Sequence, residues 1–303
     1  MSLSKTSNVK GEERTFVRDD GNFVPSDLQE GEHPSLRQRL QTIGALSGVY
    51  YVVTHKLFRP ILTLLLSKHP QWKALGQRKG TFNKNAQDEV IYIGMAGVHH
   101  VFCAALAQYA RMAKEGSTLN GISNRSLYVY AGLTEFAFEW VDFALMAMKM
   151  WPYQDRDPKF TALLIFHHLF GLLNFQATGT EQSHRDDVKG LTVKLLGVAG
   201  IGCLCYPVQQ LCDLSTKQGN RRALLINSFN MICHVYVRFY LYFTQARQLF
   251  QEVEIHLKQK NQSHLAKYSW AGYHSLSVFN VIVFLGGLQK MAQYAKNIRT
   301  LKK

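Results

Sequence analysis

The sequence predicts an all-α, polytopic membrane protein of about seven transmembrane helices around a polar interior cavity. Three observations lead there. Apolar residues gather into stretches of roughly 20, about the length that crosses a bilayer as a helix. Basic residues flank those stretches, giving 35 Lys and Arg against 21 Asp and Glu and a net charge of +14. Polar residues inside the stretches recur at helical spacing, so that one side of each helix is polar. The mean hydropathy of −0.13 conceals the clustering, because polar ends and basic connections dilute it.

Residues 1–42 form a polar N-terminal tail of mixed charge, with no apolar core for a signal peptide and too many acids for a transit peptide. The first span, 43–66, is interrupted by His55, Lys56 and Arg59. The helical membrane domain covers 85–295, and 296–303 is a basic C-terminal tail. Within the domain the spans run about Val90–Tyr109, Leu127–Met150, Phe160–Gln176, Leu191–Leu211, Ala223–Phe243 and Ser269–Leu288. Trp151-Pro152, Asp157-Pro158 and the run from Gly179 to Gly190 punctuate the short connections. Helices are the expected form because lipid leaves every backbone group to be satisfied inside its own segment. The five cysteines have no CxxC spacing and read as buried thiols. The basic loops suit anionic lipid headgroups, and no nucleic-acid motif accompanies them. Lys68, Lys73, Arg78, Lys79, Lys217, Arg221 and Arg222 share the face of the C-terminus, which the positive-inside rule places in the cytosol. The sequons at Asn124 and Asn261 fall on the opposite face. Endoplasmic reticulum or a related membrane is the favoured location, with the mitochondrial inner membrane the second choice.

In the third span Glu135, Glu139, Asp142 and Lys149 share one helical face. In the fourth, His167, Gly171, Asn174 and Thr178 make a second stripe. Adjacent helical residues diverge by about 100°, so His167 faces the interior and His168 a neighbouring helix. The sixth span aligns Asn227, Asn230, His234 and Arg238, and the second carries His99 and His100. A carboxylate at mid-bilayer costs a few kcal/mol, so these faces must turn inward onto partners or water. The bland reading of the acidic stripe is an ion-pair seam that fixes helix register. The functional one is a lipid-sized cavity lined by Glu135, Glu139, Asn174, Asn230, His234, Arg238, His99 and His100.

The histidine pairs lack the HxxxH and HxxHH boxes of membrane di-iron enzymes, and no HExxH is present, so no metal site is predicted. A bis-histidine haem is disfavoured. Acyl transfer fits better: a histidine takes the proton of an amine or hydroxyl while a carboxylate orients the ring. His167 or His168 with Asp142 would form that couple.

The order of these features resembles the TLC-domain family, which includes the ceramide synthases. The similarity rests on WVDFALMAMKMWPYQDRDPKFTALLIFHHLFGLL (Trp140 to Leu173) and FNMICHVYVRFYLYF (Phe229 to Phe243). It implies a six-helix bundle around a cavity, a peripheral first transmembrane helix at 43–66, and His167, His168 and Asp142 as catalytic residues with acyl-CoA as co-substrate. Ceramide synthases carry a Thr where this chain has Gly171, and two aspartates where Leu195 to Gln210 has no acid. The expectation is therefore a divergent member that binds or modifies a lipid. The alternative is an accessory subunit that assembles with other membrane-protein subunits around a lipid-filled cavity.

Overall fold

The computed structural model describes residues 36–80, 85–113, 118–119, 122–154, 161–169, 185–259, 261 and 263–301. Helix α1 (Leu36–Val52) passes through a π-helical stretch (Val53–Phe58) into α2 (Arg59–Ser67). The π-turn has a cause in the sequence. Pro60 donates no N–H, and its ring crowds the carbonyl one turn back; a locally widened helix relieves that clash. The composite helix starts ahead of Ile43. It leaves Leu57, Ile61, Leu64 and Leu65 exposed and packs at two places, Ile43 against Val129, Leu133 and Ala137, and Phe58, Leu62 and Leu66 against the core around Trp72 and Trp151.

A short helix, α3 (Trp72–Gly76), seats Trp72 and Leu75 beneath the start of α4 (Ala86–Met112). Asn85 caps α4 by accepting from Gln87 N at 2.9 Å, and Asp88 and Glu89 place negative charge at its positive end. A two-residue hairpin, β1 (Thr118–Leu119) with β2 (Ile122–Ser123), leads into α5 (Asn124–Ala147). Helix α5 stops where Lys149 turns left-handed at φ 51. The amides of Lys149 and Met150 then close onto Met146 O and Leu145 O, a Schellman cap. Lys149 consequently leaves the acidic stripe that its spacing had assigned it to.

Helix α6 is described at 161–169. It is followed by α7 (Asp186–Gln210), α8 (Lys217–His234), a second π-helical stretch (Val235–Ala246), α9 (Arg247–Gln259) and α10 (Ser263–Thr300). Residues 296–300, read above as tail, continue α10. Helices α4 and α7 approach closely through small residues. A Cβ added at Gly200 would lie 2.6 Å from Val101 Cγ2 and 3.1 Å from Val101 N, so only glycine fits there. Going round the bundle, α5 packs on α4, α4 on α7, α7 on α8 and α8 on α10. Helix α6 closes the ring, with His168 on α5 and His167 stacked on Phe279 of α10. Helix α1 lies outside, against α5.

Four helices among the described residues are long and apolar enough to cross a membrane, as in an integral membrane protein: Arg37–Ser67, Ala86–Met112, Asp186–Gln210 and Ser263–Thr300. The count falls short of the seven expected. Helix α5 has the length, 24 residues, but carries three carboxylates. The fourth predicted span is described only at 161–169, and the sixth is one polar-studded helix from Lys217 to Gln259.

Candidate functional site

The site grows from the carboxylate face of α5, because three acids a turn apart demand partners inside an apolar bundle. Glu135 receives both histidines of α4. His99 Nε2 lies 2.8 Å from Oε2 and His100 Nδ1 lies 2.9 Å from Oε1. The His99 ring is held flat against Phe138, centroids 4.1 Å apart, with Tyr50 on its edge at 4.9 Å. One turn on, His168 bridges two acids. Its Nε2 is 2.8 Å from Asp142 Oδ2, and its Nδ1 meets Glu139. The Tyr153 hydroxyl binds Asp142 and lies 2.8 Å from the Tyr92 hydroxyl, so the end of the chain is locked into the α4 core.

His167 has a different setting. It lines a cavity of about 200 Å³, stacks on Phe279 at 3.9 Å, and leaves Nδ1 without a hydrogen-bond partner among the described residues. His100, Glu135, Glu139 and Arg238 complete the polar part of the cavity wall. Leu191 and Leu195 of α7, Leu249 and Phe250 of α9 and Leu276 of α10 make the apolar part. Arg238 projects from the second π-stretch and donates to Leu195 O at 3.3 Å. It forms no ion pair among the described residues. The cavity exceeds the roughly 150 Å³ of an engineered apolar cavity that admits benzene. It is smaller than the ~300 Å³ at which drug-sized pockets begin.

The predicted residues therefore divide. His99, His100, Glu135, Glu139, Asp142 and His168 form one continuous polar seam. His167 and Arg238 face the cavity that this seam borders. The imidazole coupled to Asp142 is His168, not His167. His234 and Asn230 lie elsewhere: His234 Nε2 meets Asn280 O at 3.1 Å between α8 and α10, and Asn230 packs beside Gly202 of α7. Asn174, with Gly171 and Thr178, lies outside the described residues.

Sequence reasoning missed the apolar end of the cavity, because the sixth span was ended at Phe243. The signal was present: Leu249, Phe250, Val253 and Leu257 repeat at helical spacing and are all buried. It also missed Tyr153, whose role needs the turn after α5 to bring it back under Asp142.

Comparison of the chain with family models, with curated proteins and with solved structures finds no match.

Proposed function

We propose that this chain is a seven-span membrane protein of the TLC type whose interior cavity binds a lipid. Arg238 carries the reading. It is a cation on a cavity wall whose hydrogen-bond partner among the described residues is a backbone carbonyl, and hydrocarbon side chains line the other end. A cation inside an apolar bundle without a direct ion pair is costly, and an acidic or phosphate headgroup would supply that pair while its chain runs along Leu191, Leu249 and Phe250. Within this reading, acyl transfer from acyl-CoA would use His167 as the base, since it lines the cavity and its Nδ1 has no hydrogen-bond partner among the described residues. His168 and Asp142 would hold the helix that carries it. Endoplasmic reticulum or a related membrane is the proposed location, with the mitochondrial inner membrane as the alternative.

One observation favours the accessory-subunit reading. The carboxylate-coupled imidazole, His168, is tied up within the seam, and α7 offers no acid between Leu195 and Gln210. Purification in mild detergent followed by mass spectrometry of extracted lipids separates the cases. The lipid reading expects a co-purifying anionic lipid that Arg238→Leu removes while the protein stays monodisperse. An empty wild type, or a lipid complement that Arg238→Leu leaves unchanged, defeats it. Loss of an acyl product in His167→Ala with lipid still bound would establish the enzyme over the accessory subunit.

A further inference from the structure

We infer that His100, Glu135 and Glu139 bind one divalent transition-metal ion in the wall of the cavity. One ligand atom from each of the three comes within 4.8 Å of the other two, the spacing a single ion can span, and all three residues border the cavity. The sequence reading found no metal motif because the set is split between α4 and α5, where no spacing along the chain displays it.

A second observation points to a cation. His100 Nδ1 and His168 Nδ1 each face a carboxylate oxygen, Glu135 Oε1 at 2.9 Å and Glu139 Oε2. Three acids, Glu135, Glu139 and Asp142, crowd these rings inside the bundle, so positive charge is needed among them. His168 sharpens this, because its side chain is only 8% exposed. A neutral imidazole has one N–H. With Nε2–H given to Asp142, the Nδ1 lone pair confronts a carboxylate oxygen of Glu139. Positive charge is required there, carried either by a second proton on His168 or by an ion beside Glu139. Two carboxylates one turn apart on α5 are what a divalent ion would neutralise.

Two of the three, Glu135 and Glu139, are also held in place from behind, as metal ligands usually are. His99 grips the far oxygen of Glu135 at 2.8 Å, and His168 grips Glu139 while Asp142 and Tyr153 fix His168. One imidazole with two carboxylates suits zinc, manganese or ferrous iron. Three protein ligands leave a coordination position open, and here that position faces the cavity. The ligand set exists whether or not a lipid binds, so the assignment is independent of the proposed function. A rival set, His99, Cys103 and Glu135, is equally compact but sits behind the cavity wall, which His99 and Cys103 do not line.

The full chain, carrying an affinity tag without histidine, would be purified in detergent. Its metals would be counted by mass spectrometry, and the chelator-treated protein would then be titrated with Co(II). We expect a near-stoichiometric transition metal as purified and a visible Co(II) spectrum after titration. Glu139→Gln and His100→Ala should each weaken Co(II) binding by at least about tenfold, and His264→Ala on the exposed start of α10 should leave it unchanged. A folded wild type that neither retains nor takes up metal overturns the proposal. So does a sulfur-to-cobalt charge-transfer band that Cys103→Ser removes, because the ion would then occupy the rival set. Should the ligand variants fail to fold, these two wild-type and Cys103→Ser results still decide.

Discussion

His99–His100 and His167–His168 are the same dipeptide on two helices of one bundle, yet their four rings have two kinds of environment. The first pair converges: both rings reach Glu135, one at each oxygen, because a carboxylate offers two acceptors at an angle that adjacent helical side chains can bracket. The second pair diverges: His168 turns to Glu139 and Asp142, and His167 to the cavity and Phe279. Where the carboxylates stand relative to the pair therefore decides its fate. Glu135 stands between the two α4 rings. The acids that face α6 stand on one side of it, so only one ring finds a partner.

The contrast fixes an order of stability effects, best measured on chelator-treated protein by denaturation in mixed micelles. His168→Ala should cost most, about 3–5 kcal/mol, because it strips the imidazole from two buried carboxylates. Glu135→Ala follows at about 1–3 kcal/mol, since it orphans two imidazoles that can stay neutral. His167→Ala should cost about 1 kcal/mol, little more than its stack on Phe279. A cost for His167→Ala as large as that for His168→Ala would mean that both rings brace the bundle, and the division between seam and cavity would fail.

Much of this was legible in the sequence, for identifiable reasons. The acidic face of α5 and the split of His167 from His168 follow from helical periodicity, which needs no partner to be known. Convergence of His99 and His100 on Glu135 was not legible, since it depends on the rotation and register of α4 against α5. That register is set by packing of Ala107, Ala110, Leu127, Tyr128 and Ala131 between α4 and α5. The continuation of the sixth helix past its span into α9 was missed because polar residues, among them Thr244, Gln245, Arg247 and Gln248, suggested an end. The helix continues because one face stays apolar: Ala246, Leu249, Phe250 and Val253 bury against α10 and α7.

The same pairing physics, moved out of the bundle, gives the smallest expected effect. Glu254 of α9 accepts from Trp270 Nε1 at 2.6 Å and pairs with Lys258, one turn on, at 2.7 Å. Lys258, followed by Trp270, holds the Glu254 carboxyl below its ordinary range. A carboxylate whose folded pKa is depressed adds stability above its unfolded pKa of about 4.3, and that stability is lost as pH falls through the lower folded value. Lowering the pH from neutral through the carboxylate range should therefore loosen the α9–α10 contact at its exposed edge. Hydrogen exchange along Arg247–Gln259 would record the change, and Glu254→Gln should flatten it. Water screens this pair, so its effect belongs well below the buried seam. If Glu254→Gln destabilised the protein as much as Glu135→Ala, burial would not be what distinguishes the histidine pairs.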